Sequence, residues 1–545
     1  MDTGVDNGGA IKSRLIDDED DVVEGFEDFK GLRAVRSKTG LWKSASFIIG
    51  VEVAEKFAYN GVSSNLITYL TGPLGQSTAS AAASVNAWTG TLSLLPLLGA
   101  FVSDSFLGRY RTIIISVLVY ILSLGLLSLS ASLNSDCKVG ANTSDCAPPQ
   151  LKLVAFYLSL YLAAFGAGGM RPCIQAFGAD QFDGDNVNES KLKSSFFNWL
   201  YFAMSSGSLL ALLILNYIQD NLSWELGFGI PCIVMFAVLL LYLLGSPTYR
   251  FRLHTDAKNP FSRVGRVFLN AAIPHRGCSA FVAADAEQPI TNEGDIRDAK
   301  ALLGLLPIWF TSLGFAVVFS QGTTLFTKQG QTMDREIFLG LKIPAATMQS
   351  LSFFTIIFII PVYDWVLVPA ARSLTGRPAG ISMLQRIGAG LFMSLLSMVI
   401  AALIETKRLA VAAEWGLVDE AGATLPMSVW WLAPQYVLFG LANVFAIVGL
   451  QEFFYDQVPS DLKSIGLALY LSIIGIGDFL SSFLIALLES ITSRAELDSW
   501  FDNNMNRAHV DYFYWLLVGI SAIVMLAYAF IAKSYVYRER DLVRC

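Results

Sequence analysis

The chain has 545 residues, of which 54% are hydrophobic and only 15% are charged, and its formal net charge is −7. Soluble domains carry about 25% charged residues, so this composition indicates a membrane protein. The net negative charge argues against a nucleic-acid partner, because such partners select basic surfaces. The six cysteines form no C-x-x-C pair and the three histidines lie outside the hydrophobic runs, so we expect no metal site and no redox site.

The N-terminal segment, residues 1–43, is polar and contains the acidic run "DDEDDVVEGFEDF". A segment with so much charge buries too little apolar surface to fold alone, so we expect disorder where the charge is densest. Because this segment is polar, we expect no cleavable signal peptide.

Twelve hydrophobic runs follow, each long enough for a helix that crosses a membrane. We predict spans at 44–72, 80–103, 112–132, 151–177, 195–218, 226–246, 299–321, 343–369, 381–404, 427–455, 463–490 and 511–533. They form an N-terminal bundle at 44–246 and a C-terminal bundle at 299–533, with a linker at 247–298 and a tail at 534–545. An all-α membrane fold of two six-helix bundles is typical of the major facilitator architecture, whose sites lie between the halves near the membrane midplane.

Lysine and arginine are concentrated on one side of the predicted membrane, in the N-terminal flank, the linker and the tail. This bias predicts that both termini and the linker are cytosolic. On the far side, Asn142 and Asn221 are permitted glycosylation sequons. Cys137 and Cys146 share one loop there and either form a disulfide or remain two free thiols. Residues 259–272 of the linker predict an amphipathic helix, either on the inner membrane surface or under the bundles.

Three ionisable side chains, Glu52, Glu55 and Lys56, interrupt the first span. Glu55 and Lys56 follow Glu52 by three and four residues, so all three crowd one side of a helix. Each charge near the bilayer centre costs roughly 2.5–3.5 kcal/mol on insertion scales. Apolar residues could replace a buried ion pair at little loss of stability, so we favour a functional role over a purely structural network. Two carboxylates that share a cation form a coupled set suited to proton-coupled transport.

The fourth span supplies a second buried cation, Arg171, directly after a glycine-rich stretch that permits close helix contacts. A guanidinium does not deprotonate, so Arg171 is predicted to be a fixed counter-charge rather than a proton carrier. It would hold a first-span carboxylate ionised or contact an anionic substrate. The alternative is an arginine at the cytosolic helix end whose charge reaches the interface.

Several motifs resemble the proton-dependent oligopeptide transporter (POT/PTR) family. "EVAEK" (52–56) resembles the ExxE[K/R] motif of that family's first helix, and "FGADQFD" (177–183) resembles its signature after the fourth helix. "GAFVSDSFLGRYR" (99–111) is similar to the loop between the second and third helices of the facilitator superfamily. "SSNLITYLTGPLG" and "LQEFFYDQVP" look like the plant nitrate/peptide transporter (NPF) branch, and the resemblance runs from about residue 27 to the end.

The resemblance implies proton symport by alternating access, with protons as the coupling ion and no other cofactor. The proton-coupling group would be Glu52, Glu55, Lys56 and Arg171, below a cavity for a small-molecule substrate between the bundles. The loop motif would stabilise one state of the inner gate. The charged residues that we assign to this gate are Asp104, Arg109, Arg111 and Glu452.

The predicted substrate cavity departs from the family pattern. Peptide-transporting relatives usually have a second tyrosine after Tyr59, where this chain has Asn60, and they usually have lysine in place of Arg171. The tenth-helix position that usually carries an acidic partner is Asn443, so the proton switch would rest on the first-span carboxylates alone, or coupling is less strict. A hydrogen bond from Arg171 to Asn443 would lack pH sensitivity. The other cavity residues that we assign are Phe319, Gln321, Thr323 and Asp478.

Phe319 limits how the cavity can recognise nitrate, and Asp478 has two alternative roles. One nitrate-transporting relative has a histidine at the place of Phe319, so recognition of nitrate by imidazole is unavailable here. Asp478 either faces the cavity or binds a neighbouring hydroxyl.

We therefore expect a proton-coupled secondary transporter in a lipid bilayer, moving nitrate, a peptide or a larger plant metabolite. An uncoupled facilitator or exporter and a solute sensor are the alternatives. A membrane enzyme is not expected, because the chain has no metal-spaced histidine cluster, no G-x-S-x-G elbow and no P-loop. The substrate, the oligomeric state and the choice between plasma and vacuolar membrane stay open at this point.

Overall fold

The computed structural model describes residues 22–133, 150–183, 186–252, 293–338, 341–367, 369–370, 373, 381–458, 463–492 and 499–535. The predicted linker helix at 259–272, the loop with Cys137 and Cys146, and the sequon at Asn142 lie outside these residues. The described residues form twelve long helical segments and three small sheets.

Six helical segments form the N-terminal bundle. They are α1 (Leu41–Ser63, continued by Leu66–Thr71), α2 (Thr78–Val102, continued by the π-helical turn Ser103–Leu107), α3 (Arg109–Ser132), α4 (Gln150–Ala179), α5 (Val187–Leu210, the π-helical turn Ala211–Leu215 and Asn216–Asn221) and α6 (Trp224–Leu244). Ser77 and Ser223 begin α2 and α6, because their hydroxyls accept hydrogen bonds from backbone N–H groups of the first turn.

Six further segments form the C-terminal bundle. They are α7 (Glu293–Phe319, the 3-10 turn Ser320–Gly322 and Leu325–Gln331), α8 (the 3-10 turn Ala345–Gln349, Ser350–Val362 and the π-helical turn Tyr363–Leu367), α9 (Met383–Glu414), α10 (the 3-10 turn Val429–Leu432, Ala433–Ala442, the π-helical turn Asn443–Ile447 and Val448–Asp456), α11 (Lys463–Thr492) and α12 (Val510–Ser534). A capping box between Ser382 and Gln385 begins α9.

Eleven helices in the described part of the chain are long and apolar enough to cross a membrane. The remaining segment, α1, has the length but carries Glu52, Glu55 and Lys56 in its middle. It packs inside the N-terminal bundle like the others, against α5 and α6. The charges therefore sit within a helix of the membrane-spanning bundle, as the sequence predicts.

The two bundles repeat one packing arrangement. In the first, α1 packs against α5 and α6, α3 against α4 and α6, and α2 against α4. In the second, α7 packs against α11 and α12, α9 against α10 and α12, and α8 against α10. Adding six to each helix number of a pair in the first bundle gives a pair in the second. The bundles contact each other through α2 with α11 and through α5 with α8, and the same shift by six helices turns each of these contacts into the other. The predicted all-α fold of two six-helix bundles is confirmed.

Several spans are longer than predicted. Helix α7 runs from Glu293 to Gln331 rather than over 299–321, and α9 continues to Glu414 rather than ending at 404. In α9 the prediction stopped at charges that the fold buries: Arg408 donates to both carboxylate oxygens of Glu405, at 2.8 and 2.6 Å, and both side chains are fully buried. A hydropathy profile scores each charge alone and does not include this pairing.

Both α1 and the linker begin on the side of the molecule where α12 ends, here called the terminal face; the other side is called the opposite face. On the terminal face, strand β1 (Val22–Glu27) pairs antiparallel with β2 (Arg33–Val35) and with β3 (Phe251–Arg252), at the start of the linker. The densest acidic run, residues 17–21, lies outside the described residues, so the expectation of disorder there stays a prediction, whereas Val22–Glu27 forms a strand. Pairing with the linker strand satisfies its backbone, and Val23 is 1% exposed.

Contacts between the bundles hold the opposite face together. Hydrogen bonds across this interface join Gln331 to Thr68 (2.5 Å), Lys328 to Thr71 (3.0 Å), Gln349 to Ser64 (2.9 Å) and Thr347 to Leu212 (3.2 Å). Nearer the middle, α2 and α11 touch through glycines, since a Cβ on Gly90 would lie 2.9 Å from the carbonyl oxygen of Gly475. The structure is therefore in a state that is closed at the opposite face.

Candidate functional site

The centre of the N-terminal bundle contains the predicted charged cluster. Glu52 and Glu55 lie one helical turn apart on α1, and both residues are 0% exposed. Arg171 comes from α4, 116 residues further along the chain than Glu55. The two helices pack together, so the fold brings residues that are distant in sequence into one site.

Glu55 is held by two cations. Arg171 Nε donates to Glu55 Oε1 at 2.8 Å, and Arg171 Nη2 lies 2.7 Å from the same oxygen. Lys56 Nζ lies 3.0 Å from Oε2. The Arg171 guanidinium also stacks over the Tyr59 ring at 4.5 Å, and Tyr59 stacks on Trp88 at 6.1 Å. Arg171 is thus a counter-charge of Glu55. Its guanidinium lies inside the bundle and does not extend to the membrane interface.

Glu52 has a different environment. Its Oε1 accepts a long hydrogen bond, 3.4 Å, from Gln175 Nε2, and its Oε2 is buried with no hydrogen-bond partner among the described residues. Gln175 was not among the residues predicted from the sequence. It follows Arg171 by four residues on α4, so the helical period would have indicated it as a neighbour on the same face.

Proton binding changes the balance of charge in this cluster. With all groups ionised, the carboxylates of Glu52 and Glu55 balance the cations of Lys56 and Arg171. Since the cations contact Glu55, a charged Glu52 would be buried with no cation in direct contact with it. Burial of an uncompensated carboxylate is costly, whereas a protonated one is not. The arrangement therefore makes one carboxyl a stable anion and the other a group that is easily neutralised.

Some of the predicted cavity residues bind neighbouring helices. Asn60 Nδ2 donates to Ser208 Oγ of α5 at 2.9 Å. Gln321 Nε2 donates to Ser481 Oγ of α11 at 2.9 Å, and Gln321 is 0% exposed. Both amides therefore serve helix packing within a bundle in this state.

Asp478 binds a neighbouring hydroxyl, the second of the two alternatives predicted for it. Ser320 Oγ, in the 3-10 turn that breaks α7, donates to Asp478 Oδ1 at 2.5 Å. Asp478 is 3% exposed. The carboxyl therefore ties α11 to the break in α7 in this state, and Ser320 is a partner that the sequence analysis missed.

The other predicted cavity residues retain partly exposed surface. Phe319 stacks on Phe439 of α10 at 5.4 Å and is half-buried. Thr323 is half-buried beside the break of α7, and Asn443 is half-buried at the π-helical turn of α10. Asn443 Oδ1 has no hydrogen-bond partner among the described residues, so the hydrogen bond from Arg171 considered above is not formed in this state.

The predicted gate residues lie at the terminal face. Arg109, at the start of α3, forms an ion pair with Asp180 of the signature after α4. Glu452 of α10 lies 3.4 Å from Arg386 of α9, within the C-terminal bundle. Arg111 is exposed, and the side chain of Asp104 lies outside the described ones. Among the gate side chains that the structure describes, Arg109 is the one that contacts the signature after α4.

The signature after α4 also binds the chain on either side of the bundle. Asp183 Oδ2 lies 2.8 Å from Arg36 of the N-terminal segment. Gln181 Oε1 accepts from the backbone N–H of Arg250 at 2.9 Å, and the Arg250 guanidinium lies 2.7 Å from Glu189 of α5. Arg250 is 0% exposed, so the start of the linker is anchored under the N-terminal bundle.

Substituting Gly40 by alanine is expected to weaken this anchor. A Cβ on Gly40 would overlap the Arg250 guanidinium and lie 2.7 Å from the carbonyl oxygen of Gln181. We expect a loss of about 1–3 kcal/mol in the free energy of unfolding relative to Gly25→Ala, as for overpacked sites. Gly25 is the matched control, since it has a similar positive φ, 77° against 79°, but open space around it. Equal unfolding temperatures of the two variants in detergent would contradict the expected clash.

Comparisons with known proteins agree with this geometry. The family model described as "PTR2: POT family" matches residues 110–501. Protein NRT1/ PTR FAMILY 5.10 of Arabidopsis thaliana is 56% identical over 538 residues, covering 94% of this chain and 96% of that protein. Protein NRT1/ PTR FAMILY 5.12 of the same plant is 51% identical over 536 residues, covering 95% and 96%. The crystal structure of an auto-inhibited POT family peptide transporter is similar in fold, with a TM-score of 0.72 and 22% identity over 92% of this chain and 98% of that one.

These matches confirm the family resemblance and exclude an enzyme, because the relatives are transporters. They also confirm an integral, multi-pass membrane protein of the major facilitator fold. The chain belongs to the POT family of transporters, in the branch of the plant NRT1/PTR proteins.

Proposed function

We propose that the protein is a proton-coupled transporter that moves a small solute by alternating access, with Glu52 as the group that carries the proton. The observation that supports this most directly is the contrast between two buried carboxyls one turn apart. Glu55 is bound by Arg171 and Lys56, whereas Glu52 has one loose hydrogen bond and an unpartnered oxygen. A carboxyl in the second environment costs less to bury when it is protonated than when it is charged.

Release of the proton requires a change in the distances within the cluster. Lys56 is the mobile cation, since it follows Glu52 by four residues and touches Glu55 in this state. If α1 shifts relative to α4, Lys56 or Arg171 comes closer to Glu52 and favours its ionised form. Proton affinity would then depend on which face of the transporter is open.

The closed opposite face supports the alternating-access part of the proposal. The other end state must break the hydrogen bonds of Gln331, Lys328 and Gln349 that join the bundles there. The matching packing of the two halves allows one bundle to rock against the other around a site between them. We assign the terminal face to the cytosol, on the bias of lysine and arginine in the sequence.

The free energy supplied by one proton moving inward is large enough to justify the cost of placing charges in α1. One proton that moves inward gains about 2.3 kcal/mol per 100 mV and about 1.4 kcal/mol per pH unit. Together these terms support roughly a 500-fold gradient of a neutral solute.

The substrate that we propose is nitrate, a peptide or a larger, weakly charged plant metabolite. Tyr59, Phe319 and Asn443 offer aromatic and amide surface, and Arg171 is occupied by Glu55. An anion would therefore have to compete with Glu55 for the guanidinium. This competition favours weakly charged solutes over strongly anionic ones.

The proposal is tested with purified protein in liposomes that contain a pH-sensitive dye. Nitrate, a dipeptide mixture and a panel of glucosides are added in turn, with protein-free liposomes and a protonophore as controls. We expect one substrate class to acidify the lumen in a protein-dependent way. Uptake of labelled substrate without proton movement would make the protein an uncoupled facilitator, and binding without uptake would make it a sensor.

A further inference from the structure

A polar cavity of about 470 Å³ lies at the opposite face, away from the proton-coupling cluster. Its walls come from both bundles. The ends of α1 and α5 form one side, and the end of α7 with the hairpin of β5 and β6 forms the other. These strands, β5 (Glu336–Phe338) and β6 (Leu341–Lys342), follow β4 (Met333–Asp334) in the chain. The cavity therefore spans the interface that closes this face.

The described lining residues carry three cations and one anion. The cations are Lys328, Arg335 and Lys342, and the anion is Asp220. Arg335 Nη1 lies 3.8 Å from Asp220 Oδ2, beyond hydrogen-bond distance, and Asp220 Oδ1 already accepts from Asn65 at 2.8 Å. The cavity walls thus have a surplus of two positive charges.

Lys328 is the most confined of these cations. It is half-buried at the end of α7, and its Nζ donates to the Thr71 hydroxyl of α1 at 3.0 Å. An ammonium has three donors, and a neutral hydroxyl balances none of its charge. The neighbouring wall residues Thr68 and Gln331 offer further hydroxyl and amide donors.

We propose that this cavity binds a small anion with one or two charges, such as an inorganic oxyanion, between Lys328, Arg335 and Lys342. A lysine ammonium on its flexible side chain can bind such an anion as a point charge in a polar, water-accessible cavity. Hydrogen bonds between a cation and an anion are stronger than those between neutral groups. Because both bundles contribute to the walls, the site is complete only while the opposite face is closed. A bound anion therefore stabilises the closed face by linkage, independently of which solute is transported.

The first measurement is thermal unfolding of the full chain in detergent, titrated with sodium sulfate and with sodium nitrate. We expect the wild-type unfolding temperature to rise with a saturable component at millimolar anion. Lys342→Gln removes an exposed cation at the rim and should weaken the apparent anion affinity about tenfold, the effect of one lost charge-assisted hydrogen bond. Lys328→Arg should keep the saturable component, because it keeps the charge.

The matched control is Lys533→Gln, an exposed lysine in the last turn of α12 on the terminal face. Salts such as sulfate also stabilise proteins without binding to a site, and this effect should be the same in every variant. A saturable shift that is equal in wild type, Lys342→Gln and Lys533→Gln would overturn the proposal, as would its absence from the wild type. A saturable shift whose apparent affinity falls about tenfold in Lys342→Gln and is kept in Lys533→Gln and Lys328→Arg would support it.

Discussion

Replacing Glu52 by glutamine is expected to abolish proton-driven accumulation while the protein stays folded and still equilibrates its substrate. Glutamine has the shape of protonated glutamic acid, and its amide oxygen can accept the same hydrogen bond from Gln175. No cation loses a partner, since Arg171 and Lys56 contact Glu55. At about 100 mV and one pH unit, wild type would accumulate a neutral solute roughly 500-fold, and the variant would stop near equal concentrations.

The accumulation ratio is measured in liposomes with an imposed potential and pH gradient, alongside counterflow of labelled substrate. Glu24→Gln is the matched control, because Glu24 is an exposed glutamate of β1 on the terminal face. Accumulation by Glu52→Gln at the level of the control would remove Glu52 from the proton path. A loss of counterflow together with accumulation would instead give Glu52 a role in substrate binding or gating.

Replacing Arg171 by methionine is expected to be the most destabilising single change in the charged cluster. It leaves the carboxylate of Glu55, 0% exposed, without the guanidinium that contacts it at 2.7 and 2.8 Å. Breaking a buried ion pair from one side costs about 3–5 kcal/mol. The free energy of unfolding, measured by thermal or chemical unfolding in detergent, should fall accordingly, whereas Arg33→Met, at an exposed position of β2, should change little.

The double variant Arg171→Met with Glu55→Gln separates stability from coupling. Neutralising both partners leaves Lys56 and Glu52 as one remaining pair of opposite charges on α1, so we expect most of the lost stability to return. Substrate-driven proton movement should not return, because the ion pair between Arg171 and Glu55 no longer keeps Lys56 away from Glu52. If the double variant is no more stable than Arg171→Met alone, the ion pair is not what holds α1 against α4.

The number and order of the spans and the existence of a buried charged cluster follow from local patterns. Runs of about twenty apolar residues specify membrane helices, and charges inside such a run are visible as exceptions. The same reasoning ended α9 at residue 404, because Glu405 and Arg408 look like a helix end to a hydropathy profile. It also predicted no strand at Val22–Glu27, which pairs with the start of the linker more than 200 residues away.

The different environments of Glu52 and Glu55 are set by the packing of helices in the N-terminal bundle. The sequence shows that two carboxylates and a lysine share one side of α1, but it does not show that Arg171 of α4 reaches Glu55 and leaves Glu52 to Gln175. The sequence likewise does not show that Asp478 accepts a hydrogen bond from Ser320, or that three cations line one cavity at the opposite face. Helical periodicity and hydropathy are set within a few neighbouring residues, whereas the distances between these groups are set by how helices from distant parts of the chain pack.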